Sequence, residues 1–118
     1  MSKHRFNELT ITIEDNNSEI IMKWDGVSRD KNPATKLVPF FNDFLTTIED
    51  RKVIIDLTQV MRVNSSTILP IIYLIQSLEE MECETQCCID KKSHWQDAAF
   101  KAIEVLVMKY KYFTLHRE

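Results

Sequence analysis

Four consecutive polar residues, Asn64, Ser65, Ser66 and Thr67, stand directly before an apolar run and have the side chains best suited to chemistry. All four are helix-capping types, whose short side chains satisfy backbone N–H groups that a first helical turn leaves free. Their hydroxyls are also candidate phosphoryl acceptors, because a negative group at a helix amino terminus meets the favourable end of the helix dipole. Pro70 sets the expected register. Its missing N–H is harmless only in a first turn, so Ser66 or Thr67 should be the effective cap and Ser65 should lie just outside the helix. From residue types alone, plain capping and modification of an exposed hydroxyl both stay open.

Other constellations carry less. His94 and Asp97 are one helical turn apart, a spacing common among solvated surface contacts. The single glycine, Gly26, excludes a GxSxG nucleophile elbow and any GxGxxG or Walker-type phosphate cradle. No enzyme is expected. Cys83, Cys87 and Cys88 have neither disulfide nor zinc-knuckle spacing and read as reduced thiols inside a strand. His4, His94 and His116 are isolated, so no metal or other cofactor is expected. Glu79, Glu80, Glu82 and Glu84 read as a solvated helix end, and Trp24 and Trp95 as partly buried core residues.

A chain of 118 residues, 44% apolar and 28% charged, suits one globular domain over residues 1–118. Its 15 Lys and Arg against 18 Asp and Glu leave a net charge of −3, which gives no footprint for nucleic acid. Met1 to Asn7 is polar and basic, and the apolar stretch Ile68 to Ile75 is too short to span a bilayer. A soluble, cytoplasmic protein without membrane insertion is expected.

The elements that must position the polar cluster follow from periodicity. Alternation predicts strands over Leu9–Ile13 and Glu19–Trp24, joined as a hairpin through Asp15 to Ser18. Asn32-Pro33 starts a helix whose stripe Leu37, Phe40, Phe41, Phe44, Leu45 and Ile48 carries it to about Glu49. Val53 to Ile55 is a central strand, and Thr58 to Asn64 a connection. An apolar helix over Ile68–Met81, a strand at Thr85–Ile89, a helix over His94–Lys109 and a strand at Tyr112–Leu115 complete the order. In the last helix, Trp95, Ala98, Ala99, Ala102, Ile103 and Leu106 are expected to face inward. The fold class is α/β: one domain with a mostly parallel sheet of about five strands, an N-terminal hairpin, and three or more helices covering both faces.

Val53-Ile54-Ile55-Asp56-Leu57-Thr58 followed by Asn64-Ser65-Ser66-Thr67-Ile68-Leu69 resembles the core of the STAS domain family, which includes bacterial anti-sigma-factor antagonists. The pattern there is an apolar strand, Asp-Leu-Ser, a short connection, then Asp-Ser-Ser-Gly and an apolar helix. Trp24-Asp25-Gly26 sits where that family has an apolar residue and a glycine. The resemblance implies a non-catalytic bacterial regulatory protein, with Ser65 matching the serine that a cognate kinase phosphorylates and a phosphatase restores. Asn64 replaces the family's aspartate and Thr67 its glycine, so Ser66, and then Thr67, are alternative acceptors. Val60, Arg62, Asn64, Ser65 and Thr67 are the implied contacts for an anti-sigma-factor-type serine kinase and a serine phosphatase. The runner-up reading, toward which Asn64, Thr67 and Pro70 lean, is a structural or assembly module, such as a homodimer, that has no phosphoswitch. A small ligand held by the backbone N–H groups at the helix start is a third possibility.

Overall fold

The computed structural model describes residues 1–118. It contains β1 (Ser2–Phe6), β2 (Leu9–Asp15), β3 (Glu19–Ser28), α1 (Ala34–Leu45), β4 (Lys52–Val63), α2 (Ser65–Glu80), β5 (Thr85–Ile89), α3 (His94–Leu106) and β6 (Phe113–Arg117). The strands form one sheet in the order β1-β2-β3-β4-β5-β6. The β1–β2 and β2–β3 pairs are antiparallel, and the β3–β4, β4–β5 and β5–β6 pairs are parallel. The fold is a single α/β domain with three helices and a mixed sheet of six strands, one more than the alternation suggests.

The additional strand is β1, the polar and basic segment. An edge strand tolerates this composition, because Lys3 and Arg5 share the sheet face opposite the helices and Ser2, His4 and Phe6 turn toward them. β4 is also longer than the apolar run Val53–Ile55 predicts. Thr58 to Val63 is strand, still paired with β3 across register shifts between Lys23 and Asp25 and between Gly26 and Val27. Such bulges break the alternation of side chains without ending the pairing.

Both flanking helices are shorter than their apolar stripes. α1 stops at Leu45 because the Thr46 and Thr47 hydroxyls each bond back to a carbonyl three residues earlier, those of Asp43 and Phe44, at 2.7 Å. Glu49 and Asp50, with φ of 50° and 62°, then turn the chain into β4. α3 ends at Leu106 instead of reaching Lys109.

The helices cover one face of the sheet, not two. Each parallel connection steps to the next strand in the same direction, so right-handed crossovers place α1, α2 and α3 on the same side. Burial agrees with this arrangement. Ile20, Met22 and Trp24 of β3, Val53, Ile55 and Leu57 of β4, and Cys87 and Ile89 of β5 are packed in one core with Phe41, Leu74 and Phe100 from the three helices. On the opposite face Lys23, Thr114 and His116 are exposed.

All three cysteines are buried and unpaired. Burial is the main cause that pushes each thiol up, farthest for Cys87, where no part of the side chain reaches solvent. The folded chain should therefore leave Cys87 unmodified by iodoacetamide at about pH 8, and the unfolded chain should react at all three sites. Rapid labelling of Cys87 in the native protein, read by mass spectrometry, would contradict this. The unfolded chain releases its thiol protons first, so stability should decline as pH rises past the ordinary thiol pKa of about 8.5.

Candidate functional site

The polar cluster lies where β4 ends and α2 begins, at the carboxyl end of a central parallel strand. Asn64 is the N-cap, with extended backbone at φ −80° and ψ 165°, and Ser65 is the first helical residue instead of standing outside the helix. The start lies earlier than Pro70 suggests: proline is the sixth residue of α2 and leaves the Ser66 carbonyl without its usual i+4 donor. Pro70 itself is buried, so packing against the core compensates for the lost bond.

Asn64 caps with its backbone alone. Its carbonyl accepts from the Thr67 N–H at 3.1 Å, but its side chain makes no capping bond and reaches across the chain. The Asn64 amide donates to the Asp30 carbonyl at 2.5 Å, and Oδ1 accepts from the Thr67 hydroxyl at 2.5 Å. Thr67 Oγ1 also lies 2.7 Å from Ser28 Oγ, in a fully buried contact. Thr67 has a single proton and Asn64 Oδ1 can only accept, so the order is fixed: Ser28 donates to Thr67, and Thr67 donates to Asn64. The Asn64 N–H donates to the Ser28 carbonyl at 3.0 Å and closes the network.

This network sorts the expected site residues. Thr67 is completely buried and Val60 is 3% exposed, so neither side chain is available to a kinase or a docking partner. Both expectations are corrected by packing: Thr67 faces Ser28, and Val60 belongs to the core. Arg62 and Ser65 are exposed, and Asn64 and Ser66 are half-buried. Ser65 stands outside the Ser28–Thr67–Asn64–Asp30 chain of bonds. Met61 and Leu69, 77% and 70% exposed, add an apolar rim on either side of it in sequence. Arg29 and Lys31 flank Asp30, which is bonded to Asn64, and both are exposed. None of Arg29, Lys31 and Arg62 takes part in an ion pair. The junction is thus a hydroxyl at a helix amino terminus with free cations and two exposed apolar side chains nearby.

Gln96 was not legible as part of this region. It is completely buried, accepts from the Asp90 N–H at 2.8 Å, and donates to the Leu57 and Val60 carbonyls at 2.9 and 3.1 Å. Trp95 Nε1 adds a bond to the Val60 carbonyl at 3.3 Å. Together they pin the start of α3 to the end of β4 beside the junction. The inward face of α3 is Gln96, Phe100 and Ile103, while Ala98, Ala102 and Leu106 are exposed. A polar residue facing inward defeats a search for an apolar stripe. Gln96→Leu is expected to destabilise by roughly 1–3 kcal/mol, since it orphans buried backbone groups without leaving a large hole. Urea unfolding measures this, and an unchanged midpoint would contradict the clamp.

No arrangement for other chemistry forms. Asp97 pairs with Lys101 at 3.2 Å and Arg117 at 3.8 Å, not with His94. No group of three His, Cys, Asp or Glu side chains converges to hold a metal ion. No helix is long and apolar enough to cross a membrane. Two surface cavities, of about 820 and 630 Å³, include no residue of the junction.

No family model matches the chain, and no curated protein matches it. Two solved structures share its architecture. The crystal structure of an anti-sigma factor antagonist from Mycobacterium paratuberculosis is 14% identical with a TM-score of 0.65, and the match covers 92% of this chain and 85% of that one. An uncharacterized protein of the DUF3478 family with a SpoIIAA-like fold, from Shewanella loihica, is 14% identical with a TM-score of 0.57, covering 100% and 90%. At this level of identity the likeness shows the fold, which is STAS-like.

Proposed function

We propose that this STAS-like domain is a non-catalytic regulatory module of a bacterial cytoplasm, docking on a protein partner through the β4–α2 junction under control of phosphorylation at Ser65. The observation that carries the proposal is the position of Ser65: an exposed hydroxyl on the first residue of α2, beside a network that buries its neighbour Thr67. The contact surface then comprises Arg62, Asn64 and Ser65, joined by the exposed Met61 and Leu69. A solved structure of the same fold is described as an anti-sigma factor antagonist, which favours a serine kinase of the anti-sigma-factor type as partner and a serine phosphatase to reverse the mark. Ser66, half-buried one position on, is the next acceptor.

The test is incubation with such a kinase from the same organism and ATP, followed by peptide mapping in a mass spectrometer. One phosphate on Ser65, lost in Ser65→Ala, is the expected result. No phosphate on Ser65 or Ser66 would overturn the proposal. The alternative is an assembly module without a switch, favoured by Val105, Leu106 and Met108, which expose apolar surface at the end of α3. Light scattering separates the two: a stable oligomer indifferent to Ser65→Asp supports assembly.

A further inference from the structure

At the edge of the sheet, away from Ser65, we infer that β1 and α1 form a docking groove for an extended segment of another protein in which acidic and apolar side chains alternate. This inference does not rest on the function proposed for Ser65. β1 pairs on one side only, with β2, so alternate residues of Ser2–Phe6 point backbone N–H and C=O groups at solvent. A strand added there gains a ladder of main-chain bonds, and side-chain surfaces on its two faces set its sequence.

Those two faces differ sharply. His4 and Phe6 lie opposite the buried Ile11 and Leu9, so they share the helix-covered face. Between them and α1 runs a groove of about 630 Å³, lined by Phe6, Phe40 and Phe44 with His4, and Lys3 and Arg5 also contribute to its lining. The Phe40 ring lines it, with centroids 4.6 Å from His4 and 5.3 Å from Phe6. Apolar side chains of an added strand fit there. Asp43 also lines the groove and is the acidic residue there.

On the other face Lys3 and Arg5 stand opposite Thr12 and Thr10. Neither cation has an ion-pair partner in the fold; Arg5 gives a single hydrogen bond to the Asn7 carbonyl at 3.3 Å. Directly opposed charges of opposite sign stabilise a strand pair and like charges destabilise it. Acids at alternate positions of the incoming strand meet Lys3 and Arg5. A second copy of β1, paired antiparallel about His4, sets Lys3 against Arg5, so the edge resists pairing with itself.

The experiment titrates the isotopically labelled full chain with the capped peptide Val-Glu-Val-Glu-Val-Glu-Val and, separately, with Val-Lys-Val-Lys-Val-Lys-Val. The glutamate peptide should shift and slow the exchange of amides in residues 2–6, and the lysine peptide should not. The double variant Lys3→Glu, Arg5→Glu, exposed at both sites and so compatible with the fold, should weaken binding by about tenfold or more through two reversed charge pairs. Phe40→Ala should weaken it with the cations intact. The inference is overturned if the glutamate peptide does not bind, if both peptides bind equally, if charge reversal changes nothing, or if the shifts map to residues 60–69. Binding to phosphatidylserine-containing vesicles without binding to the peptide would also overturn it.

Discussion

Replacing Gly26 by Ala is expected to lower stability by about 3 kcal/mol or more. Gly26 has φ of 104°, a conformation that L side chains rarely adopt, and a Cβ built there sits 2.1 Å from the Glu8 carbonyl oxygen. Conformation alone costs roughly 1–3 kcal/mol and forced overlap roughly 1–3 kcal/mol more. The oxygen cannot move away cheaply, because it accepts the Val27 N–H at 3.2 Å and belongs to the turn into β2. The glycine also sits at the register shift that precedes Ser28, whose hydroxyl donates to Thr67 under the α2 start. Thermal unfolding should show a fall of about 10 °C or more for a domain of this size. A variant within about 0.5 kcal/mol of the parent, the usual range for a surface change, would show that the approach to Glu8 is not tight.

Ser65→Asp should separate binding from folding. A negative charge on the first residue of α2 meets the positive end of the helix dipole, which is worth roughly 0.3–1 kcal/mol in its favour. Arg29, Lys31 and Arg62 are free of ion pairs and lie in the segments that meet at Asn64, so the fold should not lose stability. A partner seated over the junction instead has to desolvate the charge, at a cost of several kcal/mol. About 3 kcal/mol weakens binding more than a hundredfold. Ser65→Ala, which removes only a hydroxyl outside the buried network, should bind within a few fold of the parent. Titration calorimetry and thermal unfolding of the three proteins check both halves, and an Asp variant that unfolds would contradict the assignment as surely as one that binds normally.

Local patterns carry much of this fold. The β-branched run Val53–Ile55, the stripe Leu37, Phe41 and Phe44, and the apolar α2 are visible because their partners are neighbours along the chain or share its period. β1 is hidden because an edge strand needs little apolar character, and the second half of β4 because a bulge shifts its alternation. Which face the helices cover depends on strand order, and periodicity does not contain it. At the junction the Asn-Ser-Ser-Thr run marks the helix start, yet residue types cannot show that Asn64 reaches Asp30 or that Thr67 reaches Ser28. Those partners are 34 and 39 residues away. The same long-range bonds distinguish the buried Thr67 from the exposed Ser65, two hydroxyls that look interchangeable as text.

The most direct test is one binding isotherm measured twice. A serine kinase of the anti-sigma-factor type from the same organism is titrated first with the unmodified chain and then with the chain carrying phosphoserine at position 65. An affinity lower by more than about a hundredfold for the phosphorylated form, with its unfolding temperature preserved, is the predicted result. Equal affinity of the two forms would contradict it.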